Sequence, residues 1–492
     1  MSLSKPARVL AFLLCLCMLI GSCIALSACG NKDNPTSSTE TGENGSKDEG
    51  DRPALPVKAE KFNDDFIVLC MTGYGVTDFY VDEASTDIVE NAMWLRNSSV
   101  EEMYGIDLKY KDIVYYEMPE YVSTINKAGD TKAIDLIAEH LIYGSNIVLN
   151  GDAYNWYELN DIDFDAPWWP ETNKNDLTLN DQCYIAVGDF CISSISHALC
   201  FYFNKKLVEQ YQLGNVYEIV NNQEWTYDKM LEMVQDIHVD LNSDNRMNDN
   251  DLYGFVFNSF TSLAIWIWGF DNPVMKKNTQ TGELEWSFYT TKIEKIMRNL
   301  VKFYYRTDGV LFRHDGASGD LFKNGQAVFS NGCFFDSTDT LRDMTDWGLV
   351  PMPKYNAKQA DYITMVGGGS QAMILPRILE LSDAKARKVG MITETLEYYS
   401  HYDVMPTYYD KALRGKYADS PDEAAMIDIL AQKRIIDFGY IYMGFVGPAI
   451  TVQQILEVKN DRIASAYASN KDVYNETMRK AYEAFGLEWE DI

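Results

Sequence analysis

The sequence predicts an α/β protein of two or three large lobes, and three observations carry that prediction. The chain has 492 residues, about three lengths of a typical domain. Short apolar runs of strand type alternate with stretches whose apolar residues recur at helical spacing. The composition, 46% hydrophobic and 13% aromatic, belongs to a chain that buries cores. A formal net charge of −30 argues against nucleic-acid binding, which needs clustered lysine and arginine to meet phosphate. The acidic excess is spread along the chain and reads as a soluble, self-repelling surface.

The elements follow in chain order. Lys5 and Arg8 precede the uncharged, mostly apolar stretch Val9 to Leu26, the pattern of an export signal. About 18 apolar residues also just suffice to cross a bilayer, so an uncleaved anchor is the competing reading. Leu26-Ser27-Ala28-Cys29-Gly30 decides for the signal: it resembles the lipobox of bacterial lipoproteins, whose small residues suit a peptidase cleft and whose cysteine, here Cys29, takes the lipid. The following residues, to about 58, are mainly Ser, Thr, Glu, Asp, Gly, Asn and Pro, a composition that cannot bury enough surface to fold. They read as a disordered tether.

Phe66 to Met71 reads as a strand ending in a loop that carries Tyr74 and Asp78. Ile88 to Tyr104 reads as a helix, Ile106 to Ile113 as a second strand, and Ala133 to Ala138 as a third. This βαβ rhythm implies mainly parallel sheets flanked by helices. Ligands of such sheets sit beyond the carboxyl ends of the strands, which points to Tyr74 and Asp78 in one loop and His140 and Tyr143 in another. About Pro421 to Ile492 is largely helical by pattern. Five cysteines, Cys70, Cys183, Cys191, Cys200 and Cys333, remain beyond the lipobox; with an odd number and no CxxC spacing, buried free thiols are expected.

Asp240-Leu241-Asn242-Ser243-Asp244-Asn245-Arg246-Met247-Asn248-Asp249-Asn250-Asp251 is the sharpest chemical motif. Asp240, Asn242, Asp244, Asn248 and Asp251 set side-chain oxygens at the spacing that wraps a hard cation such as Ca²⁺, and Arg246 would add its backbone carbonyl. Asn245 stands where glycine is usual and tolerates a left-handed turn. A structural Ca²⁺ with a dissociation constant of about 10⁻⁴ to 10⁻³ M is expected. A polar turn is the alternative. The pattern reads as helix, loop, strand, with the helix running from Thr226 to about Val239.

Several segments, in order, resemble the extracellular solute-binding proteins of bacterial ABC importers, especially the sugar-binding, maltose-binding-protein-like group. Ile134 to His140 resembles the family's strand entering the ligand cleft. Tyr184 to Gly188, continuing through Ala198 to Lys205, resembles its first crossing between lobes. Glu224-Trp225-Thr226-Tyr227-Asp228, Leu321 to Phe329 and Trp347 to Pro353 resemble three further family segments, and Gly367-Gly368-Gly369-Ser370 opens the second crossing. The resemblance spans Phe66 to the C-terminus. The usual proline of the first crossing is replaced near Gly188-Asp189, and no basic residue directly follows the cleft strand.

The resemblance implies a two-lobed, periplasmic-binding-protein-like fold of type II with the ligand cleft between lobes. The N-terminal lobe would comprise 59–187 and 367–415, and the C-terminal lobe 188–366 and 416–492, after a signal peptide (1–28) and the tether (29–58). It implies a monomeric, lipid-anchored receptor at the outer face of the membrane that closes on a carbohydrate, an oligosaccharide being expected, and delivers it to ABC permease subunits. Hinges near Ala186–Gly188 and Val366–Gly369 would absorb the rotation. Peptide or another polar solute, or a sensory or adhesive role without transport, are the alternatives.

Sugar sites pair aromatic platforms with polar side chains. Trp266 and Trp268 would share one face if extended. Phe335 with Asp336, Phe445, Asp189 and Gly369 complete the ligand-site expectation. Each aromatic has a core alternative, and His140 could instead cap a buried backbone group. With five histidines and no HExxH, GxSxG or P-loop, no catalytic residue is expected.

Overall fold

The computed structural model describes residues 52–72, 78–81, 83–258, 263–278, 280–313, 318–413 and 421–492. Residues 54–492 form one compact unit. Its first half opens with strand β1 (Asp65–Thr72), helix α1 (Ile88–Tyr104), β2 (Asp107–Val114), α2 (Met118–Ala128), β3 (Leu136–His140), α3 (Leu141–Leu149), β4 (Ala153–Tyr154) and β5 (Ile185–Ala186). Local chemistry sets the helix ends. Asp87 caps α1 by accepting from the backbone N–H groups of Val89 and Glu90, and Gly105 ends it at a φ of 62°.

The chain then builds a second sheet from β6 (Leu199–Asn204), β7 (His238–Val239), β8 (Leu252–Asn258), β9 (Val310–Arg313), β10 (Ala327–Cys333) and β11 (Trp347–Val350). It returns to the first sheet through β12 (Gln371–Pro376). Strand order is β2-β1-β3-β12-β4 in the first sheet, with β5 also on β12, and β9-β8-β10-β6-β11 in the second, with β7 on β8.

Both sheets are mixed rather than mainly parallel. β1 runs parallel to β2 and β3, while β12 runs antiparallel to β3, β4 and β5. In the second sheet β8 is parallel to β9 and β10, and β6 is antiparallel to β10 and β11. The antiparallel members β6 and β12 are the strands by which the chain passes from one sheet to the other. They enter from the far side and run against their neighbours.

β3, β6 and β12 are buried along their whole length, as strands covered on both faces must be. Helix α4 (Asp383–Tyr399) packs beside the first sheet and runs into a π-helical turn at Ser400–Val404. The C-terminal helices α5 (Phe438–Met443) and α7 (Ile463–Ala484) pack on α3 of the first half, and α6 (Pro448–Glu457) packs on α7. Asn180 donates to the Phe485 carbonyl at 2.8 Å, and Tyr482 donates to that of Leu284 at 2.9 Å. The five cysteines Cys70, Cys183, Cys191, Cys200 and Cys333 are free thiols, all but Cys333 buried. Among the described residues no helix is long and apolar enough to cross a membrane.

Candidate functional site

The carboxyl ends of β2 and β3 bring four rings together. Tyr115, just past β2, lies 4.7 Å from Tyr143 and 6.1 Å from His140, centroid to centroid, and Tyr116 packs edge-on to Tyr115 at 5.2 Å. Phe445, from the turn after α5, approaches Tyr143 at 5.7 Å and is 54% exposed. Tyr143 thus joins the end of the first sheet to the C-terminal segment. A few exposed faces on a rigid ring cluster can stack on the C–H face of a sugar while their edges stay packed.

His140 is the N-cap of α3: its Nδ1 accepts the backbone N–H of Ile142 at 3.1 Å, which puts the ring proton on Nε2. Burial, and then the neighbouring His197, lower its pKa to about 4, so the imidazole is neutral at physiological pH. His197, likewise lowered to about 4 by burial, stands beside Phe335 with a centroid separation of 5.4 Å. The Gly367 N–H donates to the His197 carbonyl at 2.9 Å, tying the second crossing to this corner. Gly368 packs closely here, since a Cβ there would push on the ends of the Ile142 and Tyr440 side chains. Gly369, half-buried, lies in the same turn.

The first crossing is held by a buried carboxylate network. Asn173 pairs with both the N–H and the carbonyl of Val187, at 2.9 and 2.7 Å. The Phe190 N–H donates to Glu397 Oε2 at 2.9 Å, and Asp189 Oδ2 lies 2.6 Å from His401 Nδ1. Trp168 and Trp169 donate to the two oxygens of Glu394 at 3.1 and 2.9 Å, so the tandem indoles are packing elements at this junction. Burial raises the Glu394 carboxyl to about 7 and Glu397 well above the usual range.

Several expected ligand contacts serve other ends. Trp266 and Trp268 lie on a short helix, Ile265–Gly269, not on extended chain, so they do not share a face. Trp266 is fully buried among Phe201, Phe270 and Phe303, and its indole N–H meets the Tyr304 hydroxyl. Trp268 donates to Asp437 at 2.7 Å, anchoring α5. Asp78 is buried and accepts the N–H and hydroxyl of Ser193; its carboxyl is pushed up to about 6 by burial, against those hydrogen bonds. Asp336 accepts from the Cys333 N–H at 2.9 Å and from Thr340 at 3.2 Å, closing a local turn. Asp189 belongs to the hinge network. Phe334 is core, and Phe335 is half-buried beside His197.

Tyr74, Cys29 and the signal segment lie outside the described residues. Tyr115, Tyr116 and His197 were absent from the sequence expectation. The rule that ligands sit past strand ends would have found the tyrosines had it been applied to β2 as well as to β1 and β3. No sequence signal marks His197.

The acidic loop lies between two antiparallel strands, since the helix before it ends at Val234 and β7 pairs with β8. The expected helix–loop–strand is therefore strand–loop–strand. Asp240 accepts from the N–H groups of Asp244 and Asn245 at 3.3 and 2.7 Å, and Asn245 adopts a φ of 61°. Asp251, fully buried, accepts from Leu241 and Asn248 at 3.0 and 2.7 Å. Among the described residues no three acids, histidines or cysteines are gathered round one point. The oxygens of Asn242 and Asn248 and the Arg246 carbonyl are the further donors at hand, all of the hard type Ca²⁺ takes.

Comparison with solved structures follows this geometry. The extracellular solute-binding protein of Staphylococcus aureus in complex with maltose is similar over 86% of this chain and 100% of its own, at 14% identity and a TM-score of 0.56. The maltose/maltodextrin-binding domain of Bdellovibrio bacteriovorus bound to maltotriose matches over 85% and 100%, at 13% and 0.53. An ABC transporter solute-binding protein of Thermotoga lettingae bound with α-D-tagatose matches over 84% and 99%, at 14% and 0.53. The chain has their two-lobed fold. No protein-family model matches the sequence, and no curated protein matches it. With that fold, the Tyr115–Tyr143–Phe445 cluster and the His197–Phe335 corner lie where strand ends and both crossings converge.

Proposed function

We propose that this chain is an extracellular solute-binding receptor that captures a carbohydrate and passes it to an ABC permease. The two-lobed fold it shares with sugar-bound solute-binding proteins carries the reading. The ring cluster at the strand ends supplies the aromatic faces such a ligand needs. An oligosaccharide suits a cluster drawn from both ends of the chain. Lipid attachment at Cys29, after cleavage of residues 1–28, would hold the monomeric receptor at the outer face of the membrane. Ca²⁺ in the 240–251 loop would stiffen the β7–β8 connection.

Thermal melting of residues 54–492 against oligosaccharides and peptides tests the reading. A ligand at 100 times its dissociation constant adds about 2.7 kcal/mol to the state it binds. A shift with a sugar series supports the proposal. A shift with peptides alone would replace the ligand class, and conversion of the added sugar to products would make the chain an enzyme.

A further inference from the structure

A groove of about 990 Å³ runs along the N-terminal lobe between α2 and α3. Its near end is lined by Tyr116 and Tyr143, two members of the ring cluster, with Tyr116 59% exposed. The far end is built from the loop after α3 and the segment after β12. There Asn126 donates to Asp152 Oδ1 at 3.1 Å and accepts the Ile378 N–H at 3.0 Å, locking the groove floor. Asp152 is more than nine-tenths buried, yet its Oδ2 has no hydrogen-bond partner. Arg377 stands beside it, exposed, donating to the Gly151 carbonyl at 3.3 Å.

Two features restrict what fits this groove. Its lining follows α2 from Pro119 to Lys127, about 12 Å of helix, which is a track for a chain. Its charges alternate: Lys127 and Arg377 against Glu120, Asp152 and Glu380, so no single-sign field selects a polyanion or polycation. Amide, carboxylate and guanidinium groups along a track that starts at exposed tyrosine edges match the hydroxyls and C–H faces of a neutral glycan.

We infer that the groove is a second glycan-binding surface, continuous with the cleft cluster through Tyr116 and Tyr143. It receives the part of an oligosaccharide that projects beyond the lobes. The inference rests on the carbohydrate reading of the cleft and extends it from a site to a track.

Calorimetric titration of maltooligosaccharides from maltose to maltoheptaose tests it on the 54–492 unit. Wild type should bind the longest members at least about fivefold more tightly than the shortest that binds, the worth of one or two hydrogen bonds. Arg377→Ala and Asn150→Ala, both at exposed positions lining the groove, should abolish that gain with unchanged melting and unchanged affinity for the short member. Equal affinity at every length, or variants that weaken all lengths alike, would overturn the groove and leave the cleft reading standing. Failure of wild type to bind any member would overturn both for this class of glycan.

Discussion

Glu397 Oε2 accepts the backbone N–H of Phe190 at 2.9 Å, and the same carboxyl group fills the space a side chain at Gly188 would need. A helix of the first lobe thereby grips the crossing segment at a buried joint. Gly188→Ala should cost about 2–4 kcal/mol in denaturant unfolding, because neither backbone nor the buried acid can give way cheaply. Combining it with Glu397→Ala should recover part of that loss, a coupling read from the double-mutant cycle. Strict additivity would show that the two groups do not meet.

Stability should fall with rising pH through the Glu394 titration. Burial holds its folded pKa near 7 against an ordinary 4.5, so the folded chain keeps a proton that the unfolded chain has released between those values. One such group contributes at most about 1.4 kcal/mol per pH unit in that window. Glu394→Gln should flatten the decline between pH 5 and 7, whatever it does to absolute stability. His140 and His197, depressed to about 4, act oppositely and add stability from about pH 4 to 6.5. Superimposable slopes for wild type and Glu394→Gln would refute the assignment.

Phe445→Ala should weaken sugar binding by about 1–2 kcal/mol while leaving melting nearly unchanged, since the ring is more than half exposed. Trp266→Ala should do the reverse, losing about 3–5 kcal/mol of stability from a fully buried aromatic core. Fluorescence titration alongside melting separates them. Intact affinity in Phe445→Ala would remove that ring from the site.

Ca²⁺ at ten times its dissociation constant should raise stability by about 1.4 kcal/mol, and EDTA should reverse the gain. Asp240→Ala should lower stability and abolish the response to both. An unchanged melting curve under EDTA would make the loop a polar turn, held by its own backbone hydrogen bonds.

Cys29→Ala should shift the protein from the membrane fraction to the soluble fraction of an expressing bacterium. Mass spectrometry of wild type should show a lipid-modified Cys29 as the new N-terminus. An unmodified, intact N-terminus would return the segment to an uncleaved anchor.

What the sequence disclosed depended on how local the deciding physics was. Phe66 to Met71 announces β1 because a strand covered on both faces leaves a continuous apolar run, whereas Ala133 to Ala138 overlaps β3 only from Leu136. The Ile265–Gly269 segment misled because periodicity cannot separate a short buried helix from a strand over five residues. The helix before the acidic loop stops at Val234 because Gly254 packs onto that residue's carbonyl and its N–H takes the Ile237 carbonyl at 2.7 Å, contacts made by a distant strand. His197 reaches Phe335 and the neighbourhood of His140 only through the crossing, and no spacing rule spans that distance. The two-lobed architecture was legible from segment order, and so were His140, Tyr143 and Phe445 of the ring cluster, but not Tyr115 and Tyr116.

β12 lies between β3 and β4, although the whole second sheet intervenes in the chain before it. The first lobe is therefore left without a central strand until Gln371–Pro376 has been synthesised. Closing so long a loop is entropically slow, and it exposes the edge of β3 in the meantime. The lobe that begins first cannot close until the second sheet has been made, so folding of the two halves is coupled rather than sequential. The nascent chain's hazard is pairing of that open edge with another molecule, before its own strand arrives.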